Sequence, residues 1–311
     1  MKMSDLEGQI WIDGSFCDWK EAKIHILTHT LHYGTGVFEG VRAYETNQGP
    51  AIFRLKDHTD RLFNSAKLIG MEIPFSPEIL MKAQRDTVKE NKLKNAYIRP
   101  LCFYGSEGMG LRADNLKVHC AIAAWDWGPY LGQEEITNGI RIKVSPFPKR
   151  NELSMLYQAK ATGNYLNSML ALKDALDSGY DEALIMGTDD NVNEGSGENF
   201  FIVKDGELLT PDLATVLDGI TRKTIITLAD ELKIKTIEKK ISLEEAFECD
   251  EAFFTGTAAE VTPIVQINDK KINDGVPGEI TKRLQKDYFN LVSGNAKKHI
   301  EWLTTINNFD D

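Results

Sequence analysis

Segments of strand-like and helix-like character follow one another through this chain, so it must build a mixed α and β fold. Ile10-Trp11-Ile12, then Asp13-Gly14 and Phe16, is a hairpin signal, because glycine tolerates the positive φ of a tight turn. Ala51 to Leu55 reads as a strand, and Asp57 to Ile69 as a helix with Leu62, Ala66 and Ile69 on one face. Pro74 and Pro77 bracket the start of a helix running to about Lys92. Tyr97 to Tyr104 and Val118 to Trp127 are aromatic-rich and branched runs that read as strands.

Composition changes after Trp127. Gly128-Pro129-Tyr130-Leu131-Gly132 and Ile136-Thr137-Asn138-Gly139 are loop signals. They divide the chain into residues 1–128, an interdomain loop 129–138 and a second domain 139–311. Beyond the loop, strands are expected at Ile140 to Val144, Ala183 to Met186, Asn199 to Val203, Leu208-Leu209 and Glu251 to Thr255. Helices are expected at Asn164 to Asp177, marked by Leu166, Met169, Leu170 and Leu176, at Arg222 to Lys233, and at Pro277 to Leu291.

With hydrophobic residues at 42%, 311 residues can bury a sizeable core. The net charge of −11 disfavours nucleic acid and anionic membranes as partners. No apolar run is long enough to span a bilayer, and the start of the chain lacks the apolar stretch of a signal peptide. Cys17, Cys102, Cys120 and Cys249 are far apart and form no zinc spacing, so reduced thiols and a cytoplasmic location are expected.

Several patterns fail on inspection. Gly105, Gly108 and Gly110 do not have dinucleotide-binding spacing. Asp189, Asn191 and Asn193 open like a calcium loop, but Gly195 comes one residue late and Phe200 stands where a bidentate Glu is needed. His25, His29 and His32 have no completing ligand, so no metal site is expected.

Two segments carry more. Lys160 lies in Gln158-Ala159-Lys160-Ala161-Thr162-Gly163. Its small neighbours leave room for something bulky, and a poorly solvated lysine is a nucleophile able to form a Schiff base. Asn193-Glu194-Gly195-Ser196-Gly197-Glu198 is a glycine-rich turn with two carboxylates feeding an apolar strand. Either it is an acidic surface turn, or its backbone passes close to a ligand. Asp218-Gly219-Ile220-Thr221 opens a helix whose first N–H groups suit an anion. Thr255-Gly256-Thr257-Ala258-Ala259 ends a strand with small residues and hydroxyls.

In this order the segments resemble the class IV, or fold type IV, pyridoxal-phosphate aminotransferases, and among them most nearly the branched-chain amino acid aminotransferases. Leu31-His32-Tyr33-Gly34, Val37-Phe38-Glu39-Gly40, His58 to Leu62, Ala96 to Pro100, Gly108-Met109-Gly110, Trp127 to Gly132, the Lys160 segment, Glu194 to Phe201, Gly219 to Arg222 and Gly256 to Glu260 carry the resemblance over nearly the whole chain. It implies an α+β fold in two domains, a small N-terminal α/β domain and a larger one with a barrel-like sheet. It implies that Lys160 forms a Schiff base with pyridoxal 5'-phosphate and shuttles the Cα proton. Glu194 would face the pyridine nitrogen. Arg61, the backbone of Ile220 and Thr221, and the hydroxyl of Thr257 would hold the phosphate, with Tyr165 beside the ring. Glu198 receives no catalytic role.

On the substrate side, the resemblance makes Phe38, Trp127, Tyr130 and Tyr165 an apolar wall. Arg99 would catch the distal carboxylate of glutamate, and Tyr97 with Thr257 and Ala258 the α-carboxylate. Tyr33 and Leu111 match positions that reach in from a second subunit, which implies a homo-oligomer. Leu111 departs from the smaller branched residue usual there. The implied reaction moves the amino group of leucine, isoleucine or valine to 2-oxoglutarate through pyridoxamine phosphate, with ping-pong kinetics. The alternatives are a D-amino acid transaminase, an aminodeoxychorismate lyase, or a binding module without activity.

Overall fold

The hairpin expected at Asp13-Gly14 forms: both residues have positive φ, 48° and 98°, and they join β1 (Gln9–Ile12) to β2 (Ser15–Asp18). The computed structural model describes residues 2–112, 115–128, 132–149 and 155–306. These fall into two compact units.

The first unit continues through α1 (His29–Tyr33), β3 (Val37–Phe38), β4 (Val41–Thr46), β5 (Gly49–Phe53), α2 (Leu55–Leu68), α3 (Pro77–Glu90), β6 (Ala96–Tyr104) and β7 (Val118–Trp125). Ser76 caps α3, its hydroxyl accepting from Ile79 N–H at 3.4 Å, and Pro77 occupies the first turn, where no N–H is needed. The sheet runs from the C-terminal strand Leu303–Thr305 through β5, β4, β6, β7 and β1 to β2, with β3 also on β6. Leu62 of α2, Leu80 of α3, Ile98 of β6 and Ile122 of β7 are fully buried in one cluster. The two helices thus bury their apolar stripes against the sheet.

The second unit contains α4 (Gln133–Asn138), β8 (Ile140–Val144), α5 (Tyr165–Asp177), β9 (Glu182–Met186), β10 (Asn191–Gly195), β11 (Asn199–Lys204), β12 (Glu207–Thr210), α6 (Ile220–Glu231), β13 (Thr236–Glu238), β14 (Ile241–Ser242), α7 (Leu243–Phe247), β15 (Glu251–Gly256), β16 (Glu260–Ile267), β17 (Lys270–Lys271) and α8 (Glu279–Val292). β11, β15, β16, β8, β9 and β10 pair in that order, and β10 pairs back onto β11. The result is a closed barrel of six strands, which removes the exposed edges of an open sheet. Phe200, Ile202, Phe254, Ile142 and Leu184 fill its inner face. Phe201 and Phe253 point the other way and stack with centroids 5.0 Å apart.

Three expectations need correction. The interdomain loop 129–138 contains a helix, α4, because Gly132 and Gly139, both at positive φ, stop the chain at each end of Gln133–Asn138. The units are not continuous in sequence. The first includes Ala159–Asn164 and the chain from Val292 onward as well as the residues up to Trp127. The cause is hydrogen bonding of the Lys160 segment to residues 34–38, and of Leu303–Thr305 to β5. Finally, Leu166, Met169, Leu170 and Leu176 of α5 are exposed, and the helix buries Ala171 and Ala175 against Ala183 and Ile185 instead. Among the described residues no helix is long and apolar enough to cross a membrane, and no group of three or more His, Cys, Asp or Glu is placed to hold a metal.

Candidate active site

Lys160 sits on a short rail formed by residues 34–38. Gly163 N–H donates to Gly34 C=O at 3.0 Å, Thr162 N–H to Gly36 C=O at 2.8 Å, and Phe38 N–H to Lys160 C=O at 3.1 Å. The Thr162 hydroxyl donates to Gly34 C=O at 2.8 Å. The approach needs glycine on both sides: a Cβ on Gly34 would stand 2.8 Å from Gly163 Cα, and Gly34 itself has φ +66°. From α2, the Ser65 hydroxyl accepts Lys160 N–H at 3.0 Å. With its backbone held on two sides, Lys160 extends its Nζ over the Phe38 ring, 4.9 Å from the centroid. Burial, reinforced by the Arg61 cation, lowers the pKa of Lys160 to about 8.

One face of α2 presents His58, Arg61 and Ser65, at helical spacing. Opposite lies Glu39, fully buried between β3 and β4, its N–H donating to Pro100 C=O at 2.9 Å. Arg61 grips the Glu39 carboxylate with Nε at 2.6 Å and Nη2 at 2.9 Å. His58 Nδ1 lies 2.7 Å from the same carboxylate. Burial alone would raise the Glu39 pKa, but the Arg61 and His58 contacts outweigh it and hold the carboxyl well below the usual range. Burial also pushes His58 down, against the pull of Glu39.

Along β6, Tyr97 and Arg99 point to the same side, two residues apart. Arg99 Nη2 donates to the Tyr97 hydroxyl at 3.1 Å. The guanidinium carbon lies 4.8 Å from the Phe38 centroid and 5.2 Å from that of Tyr97. Its Nε is buried without a hydrogen-bond partner among the described residues. Trp127 meets the Tyr97 ring edge-on at 4.7 Å, and Trp125 lies 5.2 Å from it. Gly40 makes room for the phenol, since a Cβ there would land 2.0 Å from the Tyr97 oxygen. The first unit therefore brings Lys160, Arg61, Phe38, Tyr97, Arg99 and Trp127 into one constellation. Tyr33 and Leu111 lie apart on its surface, Leu111 with 89% of its area exposed. Tyr130 lies outside the described residues.

In the second unit, Glu194 occupies the point where the barrel closes, opposite Asn199. Lys149 Nζ donates to Glu194 Oε1 and, at 2.7 Å, to Thr215 C=O. Leu217 N–H donates to Glu194 Oε2 at 3.1 Å. Lys149 also lies 4.1 Å from the centroid of the Tyr157 ring. Asn199 Nδ2 holds Leu217 C=O at 2.9 Å, which ties the loop before α6 to the strand after Glu194. The helix begins at Ile220 with no side-chain cap, and its first bond runs from Lys223 N–H to Gly219 C=O at 3.0 Å. The N–H groups of Ile220 and Thr221 precede that bond, so they point out of a helix end suited to an anion. Thr257 and Ala258 form the turn joining β15 to β16, between the Gly256–Glu260 pair. Thr255 Oγ1 beside them is buried without a partner among the described residues. Tyr165 is the first residue of α5. Glu198 folds onto its own turn, accepting Gly197 N–H at 2.9 Å.

Sequence patterning did not single out Glu39, Ser65 or Lys149. For Ser65 a signal existed, a polar stripe with His58 and Arg61 beside the apolar Leu62 and Ala66. For Glu39 and Lys149 none did, because their partners are distant in sequence.

In the first unit a half-buried lysine stands beside a clamped guanidinium; in the second an uncapped helix terminus and an anchored carboxylate occur; each set has the chemistry to hold part of a phosphorylated aldehyde cofactor. Comparison with known proteins agrees. A model of the family described as class IV amino-transferase matches residues 36–267. The chain belongs to the class IV aminotransferase family. It is 54% identical over 306 residues to a branched-chain-amino-acid aminotransferase of Pseudomonas aeruginosa, covering 98% of this chain and 100% of that protein. The crystal structure of the Escherichia coli branched-chain amino acid aminotransferase superposes with a TM-score of 0.95 at 41% identity, over 97% of this chain and 100% of the other. The enzyme of that name from Thermobaculum terrenum, solved in its PLP form, gives a TM-score of 0.90 at 33% identity, over 96% and 98%.

Proposed function

We propose that this chain moves the amino group of L-leucine, L-isoleucine or L-valine to 2-oxoglutarate, releasing a branched 2-oxo acid and L-glutamate, with pyridoxal 5'-phosphate as cofactor. The observation that carries this reading is Lys160, an amine with its pKa lowered to about 8, held by backbone bonds near Arg61 with its Nζ over the Phe38 ring.

When bound, pyridoxal phosphate supplies an aldehyde for an amine and a ring that accepts electron density from the substrate. The chain does the rest. Lys160 Nζ would hold the cofactor, and as the free amine it would take up the proton from the donor Cα and give it back on the far side of the donor nitrogen. An amine with a pKa near the working pH suits both directions of that transfer. Arg61, the N–H groups of Ile220 and Thr221, and the Thr257 hydroxyl would bind the phosphate. Glu194, its carboxylate kept in place by Lys149 and Leu217 N–H, would accept a hydrogen bond from the pyridine nitrogen. Tyr165, at the start of α5, would stand beside the ring.

Two kinds of side chain must be accepted in turn. Phe38, Trp127 and Tyr165, and by the family resemblance Tyr130, would provide the apolar surface for leucine, isoleucine and valine. Arg99, whose buried Nε has no hydrogen-bond partner among the described residues, would bind the distal carboxylate of glutamate. Tyr97, with Thr257 and Ala258, orients the α-carboxylate.

We also infer a cytoplasmic homo-oligomer in which Tyr33 and Leu111 serve a neighbouring subunit. Ile26, Leu31 and Leu111 are large apolar residues left exposed on one unit, and Leu166 and Met169 on the other, and such surface favours burial against a second copy.

The test is a panel of amino donors against 2-oxoglutarate, with visible absorption of the purified protein. Branched-chain L-amino acids should lead, and rate plots with both substrates varied should be parallel. D-alanine outpacing L-leucine, or a Lys160→Ala variant that keeps the cofactor absorption band, overturns the reading.

A further inference from the structure

Arg61 is held by something other than its ligand. Its Nε and Nη2 both bind one carboxylate, that of Glu39, at 2.6 and 2.9 Å. Glu39 has no exposure to solvent. Its backbone is pinned to β6 through Pro100 C=O, and its second anchor is His58 Nδ1, one turn before Arg61 on α2. A bidentate grip sets both the plane and the direction of a guanidinium. A buried carboxylate shared by a cation and an imidazole has little freedom to reorient. The same run of chain, residues 34–38, carries the Lys160 backbone, and Ser65 of α2 holds it from the other side. The distance from Lys160 to Arg61 is therefore governed by two attachments of a single segment: rail to Lys160, and Glu39 to Arg61.

We propose that Glu39 is a positioning residue for the cofactor phosphate: it never touches the ligand, but aims Arg61 at the phosphate in fixed register with Lys160. His58 secures Glu39 from behind. The proposal rests on the reading that Arg61 binds the phosphate of pyridoxal phosphate. Glu39 also supplies the negative charge that offsets Arg61 next to the Lys160 amine.

The experiment compares pyridoxal phosphate with pyridoxal, which lacks the phosphate, binding to the full-length protein freed of cofactor, followed by visible absorption. Glu39→Gln keeps the shape and removes the charge. It should weaken pyridoxal phosphate about ten- to a hundredfold, the range for a hydrogen bond to a charged group, and leave pyridoxal binding within about threefold. Inorganic phosphate should compete correspondingly less well against pyridoxal phosphate in the variant. Arg61→Gln is the control for the underlying reading. If it weakens both ligands alike, Arg61 is not the phosphate residue and that reading fails. If Arg61→Gln separates the two ligands and Glu39→Gln does not, the reading stands and the proposal about Glu39 is wrong. Equal loss of both ligands in Glu39→Gln also overturns it, because that is general damage to the pocket. Should Glu39→Gln not fold, Glu39→Asp retains the charge at a shorter reach. It must then show the same selective loss for pyridoxal phosphate, and an unchanged ratio of affinities rejects the proposal.

Discussion

Glu194 and Asn199 face each other across the one register pair that joins β10 to β11 and closes the six-strand ring. The closure thus falls within the segment proposed to meet the cofactor ring. Lys149, from the chain after β8, reaches the Glu194 carboxylate, and Asn199 holds the loop leading into α6. The residue pair that closes the barrel therefore also anchors the loop leading into α6.

Glu194→Gln should separate these roles. The amide can keep the bond from Leu217 N–H but leaves the Lys149 ammonium buried without its counter-charge. Removing one partner of a buried pair costs about 3–5 kcal/mol, and because Lys149 keeps its bond to Thr215 C=O, the lower end is expected. Urea unfolding reads this. Turnover of L-leucine should fall at least about a hundredfold, the scale of a lost charge-stabilising group, while the Lys160-dependent absorption band persists. A variant of normal stability and rate would remove Glu194 from both roles.

The Lys160 amine makes a pH prediction for the protein freed of cofactor. Its folded pKa of about 8 lies below the ordinary lysine value of 10.5. The fold therefore binds this proton less tightly than the unfolded chain does. The penalty is full below about pH 8 and disappears as pH rises from 8 to 10.5. Stability attributable to this group should increase across that window, and Lys160→Met should abolish the increase. Acylation of Lys160 by acetic anhydride, which needs the neutral amine, should rise with a midpoint near pH 8. A midpoint near 10 would place the amine in water.

Glu182 gives the opposite slope. It starts β9 on the inner face of the barrel, fully buried, with Oε2 lacking any partner among the described residues. Burial raises its pKa from 4.5 to about 7. The folded state binds the proton more tightly, so the contribution is complete below about pH 4.5 and is lost as pH climbs to about 7. Over that span the loss is on the order of 3 kcal/mol. Glu182→Gln, which stays neutral, should flatten this part of the stability profile and make the protein more stable than the parent at pH 8. Thermal unfolding at pH 5 and pH 8 checks it, and equal shifts at both would refute the assignment.

Arg99→Met should discriminate between the two half-reactions. It removes the guanidinium that stacks on Phe38 and Tyr97 while leaving an apolar stem. KM for 2-oxoglutarate and glutamate should rise tenfold or more, since a charged hydrogen bond is worth about 1.5–3 kcal/mol. Values for leucine should change far less. Parallel losses for both substrates would show that Arg99 merely supports the aromatic wall.

Much of this was legible in the order of residues. The Asp13-Gly14 turn, the stripes of α2 and α6 and the runs of β6, β7 and β11 follow from local periodicity and from the φ that glycine permits, and these act within a few residues of chain. The identity of Lys160 as the notable lysine came from the succession of segments resembling one family. Short or polar strands such as β3, β10 and β13 carried no such pattern, because what makes them strands is pairing with residues remote in sequence. The same physics hid Glu39 and Lys149: an ion pair across 22 or 45 positions has no local signature. Helices, turns and the candidate lysine are thus properties of the sequence itself, set by backbone sterics and side-chain period. The placement of Lys160 in the first unit, the closing of the barrel at Glu194 and the aim of Arg61 were decided only by tertiary structure, where buried hydrogen bonds and charges must find partners wherever the chain brings them.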